Sequence, residues 1–153
     1  MQGFYDIYFI KRHRDRDFIQ TFLDRFLPDR AQKAVEYYIP PFAQTPDLIF
    51  NDSQELIDFC FEKHLTDNSI YWRSLHSKKP EHAMVFFLKD DSVVYGVSVN
   101  TDDAGLTQRI FNDMAEFFDS ELGYVAWDSP PEVESFEEFK QQVVQYQHAP
   151  SWH

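Results

Sequence analysis

The chain has 153 residues, 43% of them hydrophobic and 26% charged, which is enough for one core of domain size. Its 14 basic and 26 acidic residues leave a formal charge of −12, so a surface that grips a phosphate backbone directly is not expected. Aromatic residues make up 18%, with 16 Phe against 4 Gly, which separates the chain from disordered, collagenous and low-complexity sequences.

In chain order, Phe4-Tyr5-Asp6-Ile7-Tyr8-Phe9-Ile10 is aromatic and β-branched and is bounded by the charged run Lys11 to Asp17. It reads as a central strand. Phe18, Ile19, Phe22, Leu23, Phe26 and Leu27 recur at helical spacing behind the cap candidates Asp15 and Asp17, and Pro28 closes that helix. Prolines 40, 41 and 46 make 29–46 an ordered loop with a short strand at Tyr37 to Ile39. Leu48-Ile49-Phe50 is a brief strand, and Asp52 with Glu55 forms a capping box for a second helix from Ser53 to Leu65. Ser69 to Arg73 resumes strand character.

The runs His82 to Leu88 and Val93 to Val99 predict a β-hairpin with the four-residue loop Lys89-Asp90-Asp91-Ser92. Val93, Tyr95, Val97 and Val99 share one face, and Gly96 marks a bulge or a close approach. Thr101-Asp102-Asp103 caps a third helix with the stripe Leu106, Ile110, Met114, Phe117 and Phe118, ending near Leu122 at Gly123. Tyr124 to Trp127 is a last strand, and Ser135 with Glu138 starts a terminal helix on Phe136, Phe139, Val143 and Tyr146. The expected fold is α+β, one domain over 1–153. A mixed or antiparallel sheet contains the central hairpin and is covered by about four helices, and 149–153 form a frayed tail.

The one cysteine, Cys60, has no partner for an internal disulfide, which fits a reducing cytoplasm. The N-terminus lacks the pattern of a secretory signal, and no stretch approaches ~18 uncharged apolar residues, so neither export nor a membrane partner is expected. Cys60 and His64 stand four apart on the second helix, the spacing of a metal half-site or a thiolate-imidazole pair. His13, His76, His82, His148 and His153 supply no second local pair, so a buried Cys60 is the preferred reading and no metal or cofactor is expected. With glycines only at 3, 96, 105 and 123, neither a nucleophile elbow nor a phosphate-binding loop can be built. Adjacent carboxylates such as Asp102-Asp103 and Glu137-Glu138 say little in so acidic a chain.

The charge is local. Between Thr101 and Lys140 stand 11 acidic residues against Arg109 and Lys140, so this segment holds −9 of the −12, whereas the first 33 residues carry seven basic and five acidic side chains. Helical geometry turns Arg109, Asn112, Glu116 and Asp119 away from the apolar stripe of the third helix. Such a face is either a solvated surface or a patch complementary to a basic partner. The candidate contacts are Asp102, Asp103, Arg109, Asn112, Glu116, Asp119, Glu121, Trp127 and Asp128, with Tyr124 and Trp72 as further aromatic anchors.

The first strand Phe4 to Phe9, the hairpin Met84-Val85-Phe86-Phe87-Leu88 to Val93-Val94-Tyr95-Gly96-Val97, and the ending Gly123-Tyr124-Val125-Ala126-Trp127-Asp128-Ser129-Pro130-Pro131 lie in a compact acidic layout. That layout resembles the small cytoplasmic immunity proteins of bacterial polymorphic-toxin and contact-dependent growth-inhibition systems. The resemblance implies no catalysis, and neutralisation of a cognate toxin, often a basic nuclease, whose expected phosphate charge the acidic segment imitates. Two other classes stay open. A small enzyme would show a cleft holding a carboxylate, or His64, with a strongly displaced pKa. An adaptor or homodimer pairing an edge strand would show an extensive two-fold interface.

Overall fold

The N-terminal aromatic run forms strand β1 (Tyr5–Lys11), and Asp15 then caps helix α1 (Arg16–Phe26) by accepting the Phe18 amide at 3.1 Å. Ile19, Phe22, Leu23 and Phe26 give α1 its buried stripe. The computed structural model describes residues 3–39, 41, 43–63, 68–76 and 78–147. His64 and the expected tail 149–153 lie outside the described residues.

Three short strands follow: β2 (Arg30–Gln32), β3 (Tyr37–Ile39) and β4 (Leu48–Phe50). Helix α2 (Ser53–Lys63) begins where Asp52 accepts the Gln54 amide at 2.6 Å; the Leu65 end expected for it falls outside the described residues. Strands β5 (Asn68–Ser74), β6 (His82–Phe87) and β7 (Val93–Val99) come next, then helix α3 (Ala104–Phe118), strand β8 (Gly123–Trp127) and helix α4 (Phe136–Gln147). Strands β3 and β4 pair with each other; the other six form one sheet in the order β2-β5-β6-β7-β1-β8. Every pairing is antiparallel. The fold is therefore α+β with the predicted hairpin, β6–β7, in the middle of the sheet. The polar strand β2 lies inside the expected 29–46 loop.

Side chains alternate across this sheet. Ile7, Phe9, Val85, Phe87, Val93, Tyr95, Val97 and Val125 enter one core with the apolar faces of α1, α2 and α3. Tyr8, Ile10, Met84, Val94, Tyr124 and Ala126 enter a second core with Val133, Phe136, Phe139 and Val143 of the α4 region. Because β7 is covered on both faces, all seven of its residues are buried.

Helix α3 stops earlier than the position of Gly123 suggests. Asp119 takes the left-handed cap conformation at φ 50°, which Asp tolerates better than most residues. Gly123 belongs instead to β8, where the Phe9 ring occupies the space a side chain would need. Gly96 serves the same purpose in β7, since a Cβ there would stand 2.7 Å from the Tyr8 ring; it marks a close approach. The start of α4 is held by Ser135, whose hydroxyl accepts the Glu138 amide at 3.1 Å, and by the hairpin residue Asp90, which accepts the Phe136 amide at 2.7 Å.

Candidate functional site: an acidic side and a polar cleft

Strand β8 is the terminal strand of the six-stranded sheet, with α3 packed in the core on one face and α4 in the core on the other. The acidic segment therefore wraps one side of the molecule. All 11 of its carboxylates are exposed, as are Arg109 and Asn112. Helical spacing placed Arg109, Asn112, Glu116 and Asp119 in solvent correctly, because α3 has a single buried stripe formed by Thr107, Ile110, Met114 and Phe118.

Several of the candidate contacts also hold the chain itself. Asp103 is the N-cap of α3, accepting the Gly105 and Leu106 amides at 2.8 and 3.3 Å, and it stands 3.8 Å from Arg109. Asp128 accepts the Phe4 amide at 2.7 Å and sits at φ 46°. Asp113, Glu134 and Glu137 pair with Arg25, Lys89 and Lys140. Asp102, Glu116, Asp119, Glu121, Asp128, Glu132 and Glu138 form no ion pair among the described residues.

Glu116, Asp119 and Glu121 cluster at the C-terminal end of α3, whose last turn carries no basic residue. The helix dipole is negative there, so each carboxylate close to that end costs a few tenths of a kcal/mol, up to about 1. Stability alone favours the opposite sign.

Of the aromatic anchors, only Trp127 reaches the surface. It is 48% exposed and packs edge-on to Tyr5, with ring centroids 4.7 Å apart. Trp72 is buried, its indole N–H donating to Ser53 Oγ at 3.3 Å, and Tyr124 is buried and stacked on Tyr146 at 4.6 Å. Both are core residues because alternation turns them under helices α2 and α4, so they are unavailable as contacts. Cys60 is fully buried, and that burial pushes its thiol up to about 11, the reverse of an activated thiolate.

The sheet register assembles a second constellation that has no local trace in the chain. Asp6 lies opposite Ser98, Ser98 opposite His82 and His82 opposite Arg73, a polar row across β1, β7, β6 and β5. Asp6 is 6% exposed; Ser98 donates its hydroxyl to Oδ1 at 2.6 Å and the Ser129 amide donates to Oδ2 at 3.1 Å. Burial outweighs these hydrogen bonds, and with Asp128 nearby the carboxyl is pushed up to about 6. Burial, followed by the nearby Lys33 charge, holds the His82 imidazole below its ordinary value. These groups line a cleft of about 240 Å³ with Phe4, Tyr8, Tyr71 and Asp128. The signal present in the sequence is a carboxylate in the middle of an aromatic strand; its partners stand 92 and 123 residues away.

No protein-family model, curated protein or solved structure matches the chain. Among the described residues no helix is long and apolar enough to cross a membrane.

Proposed function

We propose that this chain is a cytoplasmic immunity-type protein that binds a basic protein toxin and neutralises it by occupancy, without catalysis of its own. The observation that carries this reading is the exposed carboxylate cluster Glu116, Asp119 and Glu121. It has no ion pair among the described residues and stands at the helix end where its charge is disfavoured. Charge held against local stability is accounted for by a partner of opposite sign, whose approach it steers and whose register it fixes. Trp127, Glu132 and Asp128 extend the same side along β8 and beyond it, adding an aromatic contact to the charge.

The test takes the product of the neighbouring gene as the candidate toxin and measures its association kinetics with this chain. Replacing Glu116→Lys and Asp119→Lys together should slow association about tenfold at low ionic strength and flatten its salt dependence, with a smaller effect on dissociation. Association rates that match the parent at every salt concentration would remove this side as the interface.

The Asp6 cleft favours a second reading, a small enzyme, because a displaced carboxyl in a cleft is the mark of one. Two features weigh against a catalytic role for Asp6. Both Asp6 oxygens already accept hydrogen bonds from the protein, and the shift follows from burial.

A further inference from the structure

We propose that the cleft over Asp6 seats one basic side chain, Lys or Arg, of the protein partner, an inference that rests on the basic-partner reading above. Two carboxylates, Asp6 at the floor and Asp128 at the rim, meet two aromatic walls, Phe4 and Tyr71, with the buried Tyr8 beneath them. Carboxylate and aromatic face together are the two elements that recognise a desolvated ammonium or guanidinium. The wall already receives a cation from its own chain, since Lys33 Nζ stands 5.9 Å from the Tyr71 ring centroid. At about 240 Å³ the cleft falls below the range of roughly 300–1,000 Å³ typical of small-molecule pockets, and its size suits a single side chain.

The charged lining of the cleft is two carboxylates, Asp6 and Asp128, against one cation, Lys33, so it is net negative when Asp6 is ionised. Asp6 accepts from Ser98 and Ser129 and retains lone pairs on both oxygens for a further donor. His82 on β6, with its imidazole held below the ordinary value, adds no positive charge near neutrality. Tyr8, Tyr71 and Tyr124 are raised by burial and stay neutral. Lys33 beyond β2 is exposed and lines the cleft, Arg73 on β5 is exposed outside that lining, and a seated cation requires Lys33 to leave the Tyr71 ring. Asp128 lies on the same side as the acidic segment, so the cleft continues the charged surface inward.

A seated cation favours ionised Asp6, so binding releases a proton and tightens as pH rises from 5 to 7.5. The experiment uses the full chain and n-butylguanidinium as probe, followed by proton and carbon NMR. We expect saturable shifts of the Phe4, Tyr71 and His82 rings at pH 7.5, at least fivefold weaker binding at pH 5, and at least fivefold weakening by Asp6→Asn. Tyr71→Leu, which keeps the carboxylate and removes an aromatic face, should weaken binding as well. Shifts that do not saturate, or that are equal in the parent and in Asp6→Asn, would overturn the assignment. If the cleft fails this test while Glu116→Lys/Asp119→Lys still slows association with the toxin, the basic-partner reading stands without it.

Discussion

Replacing Arg14 by alanine should lower the free energy of unfolding by about 3 kcal/mol, the loss expected for charged hydrogen bonds to buried carbonyls. The Arg14 side chain is only 4% exposed although it belongs to the most charged run of the chain. Its guanidinium donates to the Cys60 carbonyl at 2.9 Å and the Leu88 carbonyl at 3.1 Å, stands 3.5 Å from Asp91 and lies 5.1 Å from the Phe87 ring centroid. One side chain thus ties α2, the β6–β7 hairpin and the β1–α1 connection together. Arg14→Lys should recover only part of the loss, because an ammonium is a point charge and does not reproduce the planar fork that reaches two carbonyls. Urea unfolding of the two variants measures this. A loss below about 1 kcal/mol for the alanine variant would show that the neighbouring groups re-form their hydrogen bonds elsewhere.

Asp6→Asn should raise stability near neutrality and leave it nearly unchanged in acid. The folded-state value of Asp6 is about 6, against 3.8 for the ordinary carboxyl. A group raised on folding contributes stability that is fully present below the unfolded value and is lost as pH climbs through the folded one. The difference between Asp6→Asn and the parent should therefore be close to zero near pH 3, remain below about 1 kcal/mol at pH 4 and grow to roughly 3 kcal/mol by pH 7, at about 1.4 kcal/mol per unit. Asparagine fits the site: its carbonyl accepts the Ser129 amide and its amide donates to the Ser98 hydroxyl. Comparing the two proteins at each pH cancels the other carboxylates. A constant difference between pH 4 and pH 7 would show that Asp6 is ionised in both states and that burial leaves it unaffected. A stability gain at pH 7 would also mean that the native carboxylate is retained against stability, as a binding group beside an open cleft would be.

How far these features were legible in the chain follows from the range of the interactions behind them. Local patterns carried the elements: the alternation of Val93, Tyr95, Val97 and Val99 marked β7, and the spacing of Ile110, Met114 and Phe118 marked the buried face of α3 and hence its exposed acidic face. Strand β2 has no apolar pattern, because Arg30 and Gln32 flank a single alanine, and it exists only through its pairing with β5. The end of α3 was misplaced because Asp119 tolerates the left-handed conformation for which Gly123 is the commoner sign. Nothing local distinguishes Arg14 from the rest of the charged run Lys11 to Asp17, because its partners lie 46 and 74 residues away. The Asp6, Ser98 and His82 row was out of reach for the same reason: register across β1, β7 and β6 is a property of the sheet, and no short window contains it. The acidic side was legible, since its carboxylates are neighbours in the chain and stay neighbours around β8.

The central claim, that this chain protects its own cell by binding a toxin, is tested most directly by coexpression. The adjacent gene, or the segment encoding the C-terminal end of a large secreted protein beside it, is induced with and without this chain, and growth is followed. Induction alone should be lethal, coexpression of the parent chain should restore growth, and Glu116→Lys/Asp119→Lys should restore it less well at equal expression. Lethality unchanged by the parent chain would contradict the claim.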